Sequence, residues 1–578
     1  MVLCDLTYVF KFSIVFGMNE KELISNASKN IADRLTWCTS NKDQAGIIKD
    51  LADGKDIQEV YGLGEASLFD EFFYFLDEIG VGKLFSILDP KRRKRDSNIN
   101  FYTVLLIYMM RIVSGLAFFW HIGPVILRSQ SLMRLAGFNG RQIRIGTSAR
   151  GVKKTSAITL DDEGAEDDGS KPIRGPIYTG SISTYIEAIM AHCLERFFNG
   201  VIGILASHDF IPKEVHSLLD ASEIQTTQSC EGCGKVSKEK APELRRRKGR
   251  IRKVMETVFG FKIWVIWDPN SRIPIAIRFA TIEVHDIQLA REVVQQAIDN
   301  LKGHARIASI AFDRGFIDGS FMWWLNEEGI EFYVPAKKNM GVYEDALSMA
   351  GKGIRQERER KRSAGYGKDK HVVVDHWKVV GMEGLTSAGF YGKFGSGSHE
   401  NSNDFVPNPI NAVVVLHDPY KENNPNSDTM VILTNAAIKK PIKVYDRYDE
   451  RSEIENSMFR EAKQSWFIER PAKNTAPAFR AHVYLTIITM ALTTAFRCWM
   501  DATDEMESQG IETGIRKFRE KVREENGNKL IIFDEDRYAI LDAYELVILC
   551  NRNVAKPRGV VEKITKEDIL RKYGVSME

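Results

Sequence analysis

Three carboxylates with two companions carry the strongest chemical signal in the chain. Asp220 follows the apolar run VHSLL and precedes the polar stretch ASEIQTT, and Asp313 ends IASIAFD in the same manner. Glu455 lies in YDERSEIENSMFREAK, residues 448–463, downstream of Tyr448 and Arg451. On a helix turning about 100° per residue, Tyr448, Arg451 and Glu455 fall within about 60° of one another on one face. A carboxylate flanked in this way suits phosphodiester chemistry. It can hold a divalent metal, the guanidinium can fork onto a phosphate, and the phenol can bond a phosphate or stack. Plainer readings stand beside these. An aspartate after a strand often starts a turn or caps a helix, and an Arg/Glu pair four apart is ordinary on a solvated helix. Spacing alone leaves both readings open.

For the acids to meet, the chain must supply a scaffold. VHSLLDASEI, VFGFKIWVIWD, IPIAIRFATIEV and IASIAFD are short, rich in Val, Ile, Phe and Trp, and bounded by turn residues, which predicts strands. SFMWWLNEEGI has helical character, and FYVPAKKN reads as a further strand ending in a basic loop. Together they predict a mixed α/β sheet whose strand ends form a site. Before it, residues 66–140 have apolar positions recurring at three and four, as in DEFFYFLDEIGVGKLFSIL, which predicts helices. Residues 151–180 are linker-like, and Ser181–Ala206 read as a helix. Residues 340–430 combine glycine-rich loops with the strands HVVVDHWKVV and NAVVVLHD, too long for a plain loop, so an inserted β-rich subdomain is expected. TMVILTN, a helix over 448–463, an apolar helix from Ala476 to Met500 and a tail with a last helix at YAILDAYELVIL complete the pattern.

Composition bounds the reading more than it directs it. The 578 residues are 44% hydrophobic and 27% charged with a net charge of +2, so several globular units are expected and no global basic field exists. Local basic runs do: KRRKR at 91–95, RRRKGRIRK at 245–253 and RQERERKR at 355–362, the last offset in part by its own two glutamates. Each suits either polyanion binding or a solvated surface. Seven scattered cysteines argue for a reducing cytoplasm, and the lone pair Cys230 and Cys233 is a weak zinc signal because a structural site needs four ligands. The N-terminus is a poor signal peptide, with Met18 an alternative start. Residues 101–127 are apolar but broken by Arg111, so a buried helix pair is expected rather than a membrane span.

The blocks LLDASEIQTT, FDRGFIDGSFMWWLNEEGIEFYVPAKKN and YDERSEIENSMFREAK, in that order, resemble insertion-sequence transposases of the DDE superfamily, in the subgroup with the signature Y-x2-R-x3-E-x6-K. The resemblance runs from about residue 70 to 555. It implies a ribonuclease H-like mixed sheet with flanking helices, a β-rich insertion before the last acid, and a helical N-terminal domain. The corresponding division is an extension at 1–65, a helical DNA-binding domain at 66–150, a linker at 151–180, a catalytic domain at 181–339 and 431–500 split by the insertion at 340–430, and a C-terminal region at 501–578.

The same resemblance implies that Asp220, Asp313 and Glu455 are the catalytic acids and hold two Mg2+ ions, which Mn2+ can replace. Asp209, in the loop before Pro212, is the less favoured first acid. Tyr448, Arg451 and Lys463 would contact DNA. Lys337, Lys338, Arg314 and Trp377 are added candidates, set against plain surface lysines, an Arg314–Asp313 ion pair and core packing of the tryptophan. One departure stands out: seven residues, not six, separate Glu455 from Lys463, leaving Ala462 at the signature position. In an unbroken α-helix that turns the lysine about 100° further round. The implied function is metal-dependent cleavage and strand transfer of mobile-element ends, with double-stranded DNA as partner, a homodimer in the synaptic complex and the prokaryotic cytoplasm as its place. A nuclease of the same fold and a DNA-binding protein derived from a transposase are the alternatives.

Overall fold

The structure is a computed structural model. It describes residues 41–138 apart from 58, 65, 67 and 91–100, then 143, 177–239, 255–364, 371–393, 408–418, 428–503, 514–534, 537–550 and 564–575. The basic runs at 91–95 and 245–253, most of the 151–180 linker, the glycine-rich stretch at 394–407 and both candidate starts lie outside the described residues. The chain divides into two compact units, one drawn from the segments up to Glu78, Phe85–Met190 and Glu512–Glu578, the other from Ile79–Leu84 and Ala191–Ile511.

The first unit opens with β1 (Asn41–Lys42), α1 (Gln44–Ala52), β2 (Glu59–Gly62), α2 (Phe69–Glu78), α3 (Phe101–Val113), α4 (Gln130–Leu135) and α5 (Thr179–Glu187). α3 is the buried helix expected from its apolar sequence, and Arg111 within it is buried beside the Tyr108 hydroxyl at 3.1 Å. No second α-helix forms within 114–127, so the expected pair is not made there. Phe119–His121 form a 3-10 turn and Ile122–Ile126 a π-turn, where Pro124 has no N–H to give.

The second unit is built on one ten-stranded sheet. Its elements in chain order are α6 (Ala191–Ser207), β3 (Glu214–Thr226), β4 (Gly234–Glu239), β5 (Met255–Asp268), β6 (Ile273–Thr281), α7 (Ala290–Leu301), β7 (Arg306–Phe312), α8 (Gly319–Glu327) and β8 (Glu331–Pro335). α9 (Gly341–Met349), β9 (Ile354–Ala364), β10 (His371–Leu385), β11 (Ile410–Asp418), β12 (Asp428–Thr434), α10 (Pro441–Asp449), α11 (Arg460–Gln464) and α12 (Ala476–Thr503) follow. The core of the sheet has the order β6-β5-β3-β7-β8. β6, β5 and β3 are antiparallel, while β3, β7 and β8 run parallel. That is the ribonuclease H-like arrangement, a mixed α/β sheet with flanking helices, as the sequence led us to expect.

Chemistry along the strands explains the order. Phe261–Asp268 in β5 are buried almost without a break because both faces of the sheet are covered, which a run such as FKIWVIWD permits. α6 turns Leu194, Phe197, Phe198, Val201, Ile202 and Leu205 to one side, the spacing of a core-facing stripe. α12 is apolar nearly all round and most of it is buried within the unit, as suits a core helix.

The β-rich insertion does not stand apart from this sheet. β12 pairs antiparallel with β8, and β11, β10 and β9 continue outward from it. The residues of β12 that pair with β8, Ile432–Thr434, belong to the second part of the catalytic domain, and the strands of the insertion extend the same sheet from β12.

The chain then returns to the first unit with α13 (Ile515–Glu525), β13 (Lys529–Asp534), β14 (Arg537–Asp542), α14 (Ala543–Leu549) and α15 (Lys566–Lys572). β1, β14, β13 and β2 form a four-stranded sheet, so the helical N-terminal unit also holds a small β layer that local pattern did not reveal. The expected helix at YAILDAYELVIL is half strand: Tyr538 to Leu541 pair with β13, and the helix starts only after Asp542, whose side chain forms a capping box with Glu545.

Candidate active site

Asp220 sits inside β3 rather than at its end. The polar residues after it, which read as a turn, remain paired to β5 as far as Thr226↔Phe259. Only the pairing with β7 stops, at Leu219↔Phe312, and the next residues on the two parallel strands are Asp220 and Asp313. Parallel neighbours lie about 4.8 Å apart and register partners share a face, so the two aspartates stand side by side. Asp313 leaves the strand in an extended conformation and precedes a 3-10 turn at Arg314–Phe316.

Glu455 comes from above. α10 starts with Pro441 at its first turn, where a missing N–H costs nothing, and touches β7 to β12, and the segment after it reaches β3. The stretch 448–463 is not the single α-helix expected. α10 ends at Asp449, the amides of Arg451, Glu453 and Ile454 bond back three residues, and Ile454–Phe459 form a π-helix before α11. The tight turns overwind the backbone and the π-helix unwinds it. Arg451 and Glu455 nevertheless meet, as the helical spacing required.

Their meeting organises the site. Arg451 Nη1 donates to Glu455 Oε1 at 2.9 Å and to Asp220 Oδ2 at 3.3 Å. One guanidinium therefore bridges the first and last acids. Asp220 Oδ1 accepts the amide of Ala221 at 2.8 Å. Burial pushes the Asp220 carboxyl up to about 7; the Ala221 amide and Arg451 pull it down, and Glu455 adds a further upward push. Burial also works against the Arg451 cation, but Glu455, Tyr448 and Asp220 outweigh it and raise its pKa. Tyr448 is half-buried, its phenol raised chiefly by burial, with the charges of Arg451 and Asp313 close enough to act on it.

The donor chemistry suits a hard divalent cation. Carboxylate oxygens are the ligands such ions prefer, and the Arg451 guanidinium stands where a cation between Asp220 and Glu455 would stand. Among the described residues no three His, Cys, Asp or Glu side chains are gathered tightly enough to hold an ion. Asp313 is next to Asp220 by register, and Glu455 is drawn to the arginine.

The other sequence candidates separate into two groups. Arg314, Lys337 and Lys338 are exposed beyond the C-terminal ends of β7 and β8, on the edge of the sheet that bears Asp313. Among the described residues none of them forms an ion pair, Arg314 with Asp313 included. Trp377 and Lys463 are engaged. Trp377 lies flat on its cross-strand partner His417, 4.6 Å between centroids and 8° between planes, with Tyr445 nearby. Lys463 Nζ donates to the Glu223 carbonyl at 2.8 Å and lies 3.4 Å from Glu469. Ala462 is fully buried.

Asp209 is exposed in the loop before β3, in a left-handed backbone conformation (φ 59), and pairs with Lys213. Cys230 is buried and Cys233 half-buried, with no further metal-ligating partners among the described residues. The run RQERERKR is the edge strand β9, and part of its charge is paired: Arg355 with Glu357 and Arg358 in a two-point bond to Asp446 of α10, while Glu359 lies 3.1 Å from His376. The sequence singles out neither Glu223, which lies in the block LLDASEIQTT without a signature role, nor Asp446; each is identified by its partner.

Residues 211–492 match the family described as the transposase DDE domain. This region is a transposase DDE domain. All three acids, Tyr448, Arg451 and Lys463 fall inside the DDE domain, and so do the whole of β3 through β12. The DDE-superfamily transposase anticipated from the sequence blocks is met in this region. DDE transposases as a family act on DNA and use divalent metal ions. No curated protein matches the chain.

Proposed function

We propose that the protein is an insertion-sequence DNA transposase of the Y-x2-R-x3-E-x6-K subgroup, which cuts mobile-element ends and joins them to target DNA. The observation that supports this reading best is the bridge from Arg451 to Asp220 and Glu455, set beside Asp313 on the adjoining strand. Asp220, Asp313 and Glu455 would hold two Mg2+ ions, or Mn2+ in their place. When bound, such a pair stabilises both the entering and the leaving oxygen of an in-line displacement.

In the first step a water oxygen bonds to phosphorus as the bond to the DNA O3′ breaks, leaving a 3′-OH. In the second that 3′-OH attacks a target phosphodiester, and the displaced oxygen leaves with the proton balance restored by solvent. No bond to the protein forms. Arg451, freed from its carboxylates, is placed to fork onto a phosphate, and the Tyr448 hydroxyl stands beside it. Arg314, Lys337 and Lys338 would hold backbone phosphates along the sheet edge, and Trp377 would meet a base if it left the His417 stack. Two ends must be cut together, which favours a homodimer on double-stranded DNA.

The first check is whether short inverted repeats flank the gene, and the test is incubation of the full chain with Mg2+ and DNA bearing such ends. Cut ends and joined products are expected from the wild type and from none of Asp220→Ala, Asp313→Ala and Glu455→Ala. Cutting without joining would identify a nuclease instead. Binding without cutting would identify a DNA-binding descendant of a transposase.

A further inference from the structure

The seven residues between Glu455 and Lys463, 456–462, overlap the π-helix at Ile454–Phe459 over positions 456–459. A π-turn closes with an i→i+5 bond and takes in one residue more than an α-turn over the same rotation. A single insertion in a helix is absorbed in that way without displacing what lies on either side. We infer that the π-turn is a one-residue insertion that returns Lys463 to the side of Glu455, and that Lys463 is a positioning residue holding Glu455 over Asp220.

The contacts of Lys463 carry the second half of this. Pairing between β3 and β7 ends at Leu219, and Lys463 Nζ meets β3 four residues further on, at the carbonyl of Glu223. The same Glu223 places its carboxylate on Lys238 of β4. Lys463 is also steered by Glu469, from the loop after α11. An ammonium donating to a strand carbonyl and sitting beside a carboxylate is a strut between two elements; its charge is already partly answered before any phosphate arrives. The elements it joins are the ones that matter: β3 bears Asp220, and the π-helix leading into α11 bears Glu455. Ala462, the residue at the signature distance, is buried and has no group to offer.

This inference rests on the reading of Asp220 and Glu455 as parts of one catalytic site. Support residues behind metal-binding acids typically affect activity by about 10–100-fold. At saturating DNA, Lys463→Ala should lower the cleavage rate by that factor, and Lys463→Arg, which keeps a long donor, should restore most of it. DNA affinity and its dependence on salt should be unchanged in both. A phosphate contact would instead weaken binding and reduce the salt slope by about one, and that result would overturn the positioning role. Deletion of exposed Asn456, which restores six residues between Glu455 and Lys463, should give an ordinary α-turn and keep cleavage near wild type. A folded deletion variant that has lost cleavage would overturn the insertion. If the three acid variants cleave as well as wild type, the catalytic reading itself fails; if they do not and Lys463→Ala cleaves normally, only the strut fails.

Discussion

Asp220 and Glu455 share one guanidinium, yet they live in opposite surroundings. The Asp220 side chain is 12% exposed on a central strand, and that of Glu455 is 56% exposed on a π-helix. The strand is held on both sides up to Leu219 by β5 and β7, so the first acid has little freedom to move. The π-helix packs on that strand, and the side chains of Arg451 and Lys463, which flank it, bond to the strand on either side. One acid is thus fixed by the sheet and desolvated by it, while the other is presented to solvent by an adjustable turn. On the proposed function, that division would let the rigid Asp220 set the position of a cation and the exposed Glu455 complete its ligation.

The contrast can be broken first through stability. Arg451→Ala removes the cation that compensates a buried carboxylate and should lower the free energy of unfolding by about 2–3 kcal/mol. Glu455→Gln removes an exposed charge and should change it by no more than about 0.5 kcal/mol. Urea unfolding of both proteins measures the difference, and equal losses would mean that the two ends of the bridge are not distinct in burial.

A smaller effect follows from pH. The folded-state pKa of Asp220, about 7, lies above its ordinary value of 3.8, so the folded protein retains the proton more strongly than the unfolded chain. The buried charge therefore weighs against folding above about pH 7, and this burden is relieved as pH falls from 7 toward 4. In the presence of a chelator, Asp220→Asn should be more stable than wild type at pH 8, with the gap closing by pH 5. A gap that widens as pH falls would contradict the burial of this acid.

The smallest expected change is at the rim. Lys337→Ala and Lys338→Ala should leave unfolding unaltered and each reduce the salt slope of DNA binding by up to about one. Binding titrations at several ionic strengths would show it. Unchanged slopes in both variants would make these lysines plain surface.

Much of the scaffold was legible because it is local. The apolar runs of β5 and β7 need no partner to be recognised as strands, and α12 announces a buried helix by its composition. What the sequence hid is what depends on remote pairing. ASEIQT reads as a turn until β5 is seen to pair with it, so Asp220 was expected at a strand end and lies within one. The insertion joins the main sheet through pairs such as Val413 and Ile432, which no local period encodes. The same holds for Val60 and Ile532, which bring strands from the two ends of the chain into one layer. At the site, the type and spacing of Tyr448, Arg451 and Glu455 sufficed to foresee the Arg451–Glu455 contact. They did not suffice for the π-turn, because one residue changes a helical pattern by less than the scatter of its polar positions. The extra residue before Lys463 was visible; its absorption by the backbone was not.

The central claim is that the acids beneath Arg451 carry out DNA cleavage, and Glu455→Gln tests it with the least disturbance to the fold. The measurement is the single-turnover rate of Mg2+-dependent cleavage at saturating element-end DNA, with unfolding midpoint and DNA affinity recorded alongside. The expected result is a loss on the order of 10^3-fold or more in rate, with stability and affinity unchanged. A Glu455→Gln protein that cuts these ends at the wild-type rate would contradict the account.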